Sequence, residues 1–96
     1  MRVRLSPRAL ADLRAIRSHL EKSSPQGSDN VRSAIDVAIS LLGDFPGLGR
    51  ERSELGVRAL GVARYPFTIY YRVERDGVWI VHIRDDRRKP LERSEL

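Results

Sequence analysis

The chain's last apolar run, VWIVHI, breaks into the six charged residues RDDRRK and then a proline. Arg84, Arg87 and Arg88 lie in this stretch, and Arg58, Arg64 and Arg72 lie in or beside the two apolar segments before it. A guanidinium presents a planar fork of donors that fits a carboxylate or a phosphate. Such a set can engage an acidic protein surface or a nucleic-acid backbone through charge-assisted hydrogen bonds. It is poorly suited to proton transfer, because a group with a pKa above ~12 is a weak general base. Proton transfer near these arginines would fall to Tyr65, Tyr70 or Tyr71, of which Tyr71 reads as core, or to His82, a lone strand histidine. The plain structural alternative is that Arg84 and Arg87 pair with Asp85, Asp86 or Glu92 and cap the end of a sheet.

Composition bounds the rest. A chain of 96 residues is expected to make one domain, residues 1–96, with a single modest core and a binding surface rather than a roomy cofactor pocket. No cofactor is implied. The absence of cysteine removes disulfides, zinc-thiolate sites and thiol nucleophiles, and two histidines alone are a thin basis for a metal centre. No apolar run is long enough for a membrane span and no apolar stretch follows Met1, so the expected location is the cytoplasm, with no membrane partner. The net charge of +5 rests on arginine, Lys22 and Lys89 being the only lysines. That bias fits an acidic partner, and a GC-rich genome would produce it as well.

These residues need elements to position them. RVRLS alternates as a short strand, and Ser6-Pro7 is a helix start, with the hydroxyl free to cap and the proline where no donor is needed. Leu10, Leu13, Ile16 and Leu20 then form one stripe of a first helix, opposite an arginine-rich face that carries Arg8, Arg14 and Arg17. SSPQGSD reads as a loop, with Ser28 or Asp29 capping a second helix through NVRSAIDVAISLLGDF. The face of Val31, Ala34, Ile35, Ala38, Ile39, Leu41 and Leu42 is broader, which predicts deeper burial. VRALGVA, FTIYYRV and VWIVHI are strand candidates, the last two joined at Asp76-Gly77, read as the central pair of a tight hairpin turn. Alternation puts Phe67, Ile69, Tyr71 and Val73 on a core face, with Thr68, Tyr70 and Arg72 opposite. ERSEL occurs at 51–55 and again at 92–96, too short to be a structural repeat. The expected fold is α+β: an N-terminal strand, a helical hairpin, then a three-stranded antiparallel meander packed on the helices.

In this order the residues resemble the ParE/RelE toxin superfamily. The likeness runs through DFPGLGRERSELGVRALGVARYPFTIYYRVERDGVWIVHIRDDRRKP and the opening RVRLSPRALADLRAI, nearly the whole chain. It implies the toxin of a type II toxin–antitoxin pair, neutralised by a cognate ParD-like antitoxin, and leaves two targets open. RelE-like members are ribosome-dependent endoribonucleases that cut mRNA, whereas ParE-like members poison DNA gyrase. The resemblance puts Thr68 where the nuclease would hold an arginine and Ala59 and Gly61 where it would hold lysines. Arg87 matches a second arginine position, but Asp85 falls where some members carry histidine and Arg93 where an aromatic is expected. The family reading therefore favours the gyrase-inhibiting branch with no catalytic residue. It makes Arg84, Arg87, Arg88, Arg58, Arg64 and Arg72 candidates for target binding and Arg8, Arg14 and Arg17 candidates for antitoxin binding, with the ribosome as the alternative target.

Overall fold

The computed structural model describes residues 1–96. The chain runs β1 (Val3–Leu5), α1 (Pro7–Ser23), α2 (Pro25–Asp44), β2 (Arg50–Arg52), β3 (Val57–Gly61), β4 (Phe67–Glu74) and β5 (Gly77–Asp85), with short 3-10 turns at Ser53–Leu55 and Arg93–Glu95. The expected order of strand, helical hairpin and meander is present. The sheet is larger than the predicted meander, with five strands in the order β1-β5-β4-β3-β2. It is mixed, because β1 joins β5 in parallel, Val3 opposite Val78 and Leu5 opposite Ile80. β2 has no apolar alternation to announce it, being Arg-Glu-Arg, and forms because Arg50 and Arg52 fall opposite Ala59 and Val57 on β3.

Both helices use one device to start. Ser6 caps α1 by accepting the Ala9 amide at 3.1 Å, and Ser24 caps α2 by accepting the Gly27 amide at 3.1 Å. A proline follows each cap, where its missing N–H is not needed. The predicted cap at Ser28 or Asp29 is therefore corrected to Ser24, and the predicted loop shrinks to one residue. The Ser-Pro signal outweighed the poor helix propensity of the Gln-Gly-Ser run, since one cap contributes about 1 kcal/mol. Ser24 also closes α1 through its own amide to the Leu20 carbonyl at 2.9 Å. Ser28 is instead buried between the helices, its hydroxyl directed to the Arg17 carbonyl at 3.4 Å.

The helices lie on one face of the sheet over Val31, Ile35, Leu42, Ile69, Tyr71, Val78, Ile80 and Ile83. Burying a side chain of this size contributes roughly 1.5–3 kcal/mol, which is why neither helix needs to be stable alone. Ala9 takes the fully buried position on α1 while Leu10 is exposed, so the predicted stripe begins one residue late. Leu41 likewise points outward from α2. The opposite face of the sheet was expected to be polar, yet Tyr70 is buried there against Leu55 and Val57, with Leu91 and Leu96 packed on them. Val73, assigned to the core, is exposed near the hairpin end. A register irregularity at Tyr70/Tyr71 breaks the simple alternation of β4 against β5.

The β4–β5 turn is made by Arg75 and Asp76, between the paired Glu74 and Gly77, and neither has positive φ. The glycine serves β5 instead, at φ +146, where a Cβ would collide with the Arg2 carbonyl that receives the Val78 amide at 2.7 Å. No helix is long and apolar enough to cross a membrane.

Tyr71 is the pin between core and loop. Its ring is fully buried, and its hydroxyl donates to the Pro46 carbonyl and accepts the Gly49 amide, each at 2.8 Å. Glycine is required at 49 because a Cβ there would overlap the Tyr71 ring and hydroxyl. Tyr71→Phe removes both bonds and leaves two backbone groups unpaired, an expected loss of about 1–3 kcal/mol in urea denaturation. A loss below ~0.5 kcal/mol would show that solvent already satisfies the loop.

Candidate functional site

The charged stretch that ends β5 is ordered by its own aspartates. Asp86 continues the strand edge for one more bond, its amide donating to the Pro66 carbonyl at 2.7 Å, while its carboxylate receives the Thr68 hydroxyl at 2.5 Å. Asp85 turns back on the next residues. It accepts the Arg87 amide at 2.9 Å and the Arg87 guanidinium through Nε at 3.0 Å and a terminal nitrogen at 2.7 Å. Hydrogen bonding from the Arg87 side chain holds the Asp85 carboxyl down to about 2. The Arg87 fork is thus pre-oriented on a solvent-facing turn, and the adjacent Arg88 is exposed with no ion pair.

The predicted projecting cluster of three arginines is really two. Arg84 is buried, 4% exposed, because β5 turns it toward the face covered by the C-terminal segment, where its Nε donates to Glu95 at 3.1 Å. The predicted patch of Arg58, Arg64 and Arg72 does not assemble either. Arg58 lies opposite Tyr71 and donates to the Gly49 carbonyl at 2.9 Å, fastening the loop after α2. Arg72 is the next residue beyond Tyr71 and is exposed. Arg64 stands at the far end of the same hairpin, in the turn between Gly61 and Phe67. Since Phe67 pairs with Asp85, that turn is at the same end of the sheet as Arg87 and Arg88. Arg64 holds φ at +73, uncommon for a side chain with a Cβ, and keeps its guanidinium exposed and without an ion pair.

Beside this end runs a groove of about 230 Å³ between α1 and β5. Ile16, Leu20, Phe67 and Ile83 supply its apolar lining, and Arg87 and Arg88 stand on one side with His19 on the other. Asp12 anchors the helical wall: its carboxylate accepts the Ile83 amide at 3.0 Å and lies 2.5 Å from His82 Nδ1. The arrangement suits apolar side chains in the groove with acidic ones beside Arg87 and Arg88. It contains no base set against a nucleophile. Sequence reading missed His19 and Phe67 as wall residues, because only the crossing of α1 over the end of β5 brings them together.

The α1 arginines are exposed. Arg8 pairs with Asp12 at 3.2 Å and Arg17 with Glu21 at 3.5 Å, one helical turn apart, while Arg14 has no partner. Such surface pairs are worth about 0.3–0.5 kcal/mol, so they cost little to exchange. Val37 and Leu41 on α2 and Phe45 at its C-cap form an outward apolar row at four-residue spacing, with Leu48 exposed just beyond. The spacing was legible, but Leu41 had been counted with the core.

Known proteins match this chain across most of its length. The family model described as the ParE toxin of the type II toxin-antitoxin system matches residues 3–90. "Putative toxin Y4kP" of Sinorhizobium fredii is 35% identical over 75 residues, 78% of each chain. A solved chain of the chromosomal ParDE TA system from P. aeruginosa superimposes with a TM-score of 0.74 at 29% identity, covering 86% of this chain and 92% of that one. With the family model spanning both helices and all five strands, the chain belongs to the ParE toxins of type II toxin–antitoxin systems.

Proposed function

We propose that this ParE toxin arrests growth by binding DNA gyrase as a protein inhibitor, and that a cognate antitoxin neutralises it in the cytoplasm. The observation that carries the reading is the placement of cations. Arg64, Arg87 and Arg88 share one end of the sheet beside an apolar groove, whereas the positions where a related nuclease would hold phosphate are Ala59, Gly61 and Thr68. Ala59 and Gly61 offer no side-chain donor, and the Thr68 hydroxyl is already given to Asp86. A charged surface with an apolar groove beside it suits recognition of a protein or protein–DNA complex, through charge-assisted hydrogen bonds and apolar burial together.

The antitoxin reading rests on the helices. Arg8, Arg14 and Arg17 on α1 and the apolar row Val37, Leu41 and Phe45 along α2 and its C-cap are all exposed, the first suited to acidic side chains and the second to a nonpolar face. The solved relative comes from a ParDE pair, which supports a partner of that kind. Covering the α2 row would also make the toxin less prone to associate through it.

Expressed alone in a bacterium carrying a DNA-damage reporter, the chain is expected to stop growth with the reporter switched on. Arrest with a silent reporter would contradict gyrase poisoning and move the target to the ribosome. Arg87→Ala with Arg88→Ala is expected to reduce growth inhibition at least tenfold while the melting temperature stays within a few degrees; undiminished inhibition by the folded variant would remove these residues from the target surface. Arg64→Gly separates fold from function at the same end of the sheet. Relaxing the positive φ is expected to add about 1 kcal/mol of stability while weakening inhibition. A less stable variant would show that the Arg64 side chain holds its turn together.

A further inference from the structure

The buried pair on the other face of β5 has no part in the groove. His82 and Arg84 alternate onto that face, opposite Tyr70 and Thr68, and are 0% and 4% exposed. Both are directed at one carboxylate oxygen. Glu95 Oε2 lies 3.1 Å from Arg84 Nε and 3.5 Å from His82 Nε2. His82 Nδ1 is engaged by Asp12, and its Nε2 is buried without a hydrogen-bond partner, aimed at Glu95. A buried guanidinium donating to this acid, with the His82 ring edge beside it, describes a carboxylate-binding site, and Glu95 is the acid seated in it.

The segment that delivers this acid is weakly attached. Its own backbone bonds are internal, from the Glu95 amide to Glu92 at 2.9 Å and from the Leu96 amide to Arg93 at 3.1 Å. No backbone–backbone bond ties residues 89–96 to a strand, and the side-chain ties there come from Arg84, to the Lys89 carbonyl and to Glu95. The remaining hold is Leu91 and Leu96, half-buried on Leu55, Val57 and Tyr70.

The duplicated ERSEL places its second acid in two settings. Each copy contains a 3-10 turn, at Ser53–Leu55 in the first and one residue earlier in the repeat, at Arg93–Glu95, in the second, and both deliver their leucine to the same apolar cluster. In the first copy the acid stays exposed and takes its own neighbour, Arg52 to Glu54 at 2.5 Å. In the second copy the same five residues turn the equivalent acid onto Arg84. Only the second copy's acid meets a buried guanidinium.

We propose that Arg84 and His82 form a receptor for an acidic peptide carrying glutamate beside leucine, and that residues 91–96 occupy it as a tethered ligand that such a segment of a partner protein displaces. The tether favours the internal occupant, because a short linker presents its ligand at about millimolar effective concentration. Displacement therefore needs a partner already held nearby, or loss of the Glu95 contact. It would expose the cluster around Tyr70 and free the segment that follows Arg87 and Arg88. The site stands whatever the cellular target is.

The test is fluorescence anisotropy with a labelled peptide Leu-Glu-Arg-Ser-Glu-Leu, added to the full chain and to its Glu95→Ala variant, which removes the tethered acid together with its contact to the Glu92 amide. The variant is expected to bind the peptide at least tenfold more tightly than the wild-type chain, and a peptide with glutamine in place of the second glutamate is expected to lose that gain. Equal binding by both chains, or binding indifferent to the glutamate, would overturn the proposal. Hydrogen exchange supplies a second readout on the same proteins: the amides of Glu95 and Leu96 should be protected in the wild type and released in the variant. Unprotected amides in the wild type would mean that the segment does not occupy the site.

Discussion

One carboxylate joins the helical layer to the sheet. β1 is only three residues long and stops pairing with β5 at Ile80, leaving the rest of that strand with an open edge in its most buried part. An open edge needs hydrogen-bond partners, and α1 supplies them in place of a strand. The Ser6 amide donates to Ile80 O at 2.9 Å, its hydroxyl to Val81 O at 3.2 Å, and Asp12 Oδ2 accepts the Ile83 amide at 3.0 Å while engaging His82. Ser6 also caps the helix it begins, so the entry angle of α1 and the edge of β5 are set by the same residue. Hydrogen bonds to a charged group contribute about 1.5–3 kcal/mol each, a large share of the stability of a domain this size.

Both candidate sites depend on that seam. On one side it fixes the spacing between α1 and the end of β5, which gives the groove its width and brings His19 across from Arg87 and Arg88. On the other it orients the His82 ring, so that Nε2 faces Glu95 and stands beside Arg84. The arginines of the chain thereby separate into unlike roles. Arg58 and Arg84 are structural donors to carbonyls and to a half-buried acid, Arg87 is poised by Asp85, and Arg64, Arg72 and Arg88 keep their charge free of ion pairs. Sequence position alone treated these six as equivalent. Burial and pairing distinguish them.

The elements that local chemistry specifies were legible: the Ser6-Pro7 start of α1, the apolar face of α2, and β3, β4 and β5 from their branched and aromatic residues. What escaped was decided by contacts distant in sequence. β2 exists because β3 offers it a partner, and Tyr70 is buried because Leu91 and Leu96 return to cover it. The glycine of the β4–β5 hairpin serves the Arg2 carbonyl rather than the turn. The pairing of Asp12 with His82 spans 70 residues, and no local period connects a helix carboxylate with a strand imidazole. Family resemblance supplied the fold and the toxin class. It did not show that Arg84 points inward, because a motif records residue order and not which face a strand turns to the solvent.

The claim that this seam organises both faces is tested most directly by a double-mutant cycle of Asp12→Ala and His82→Ala, read by equilibrium denaturation. Residues that share one network are expected to show a coupling energy of about 1–3 kcal/mol, the double variant losing less than the sum of the single losses. Additivity within ~0.5 kcal/mol would mean that the two side chains act independently, and that α1 is held to β5 by packing alone.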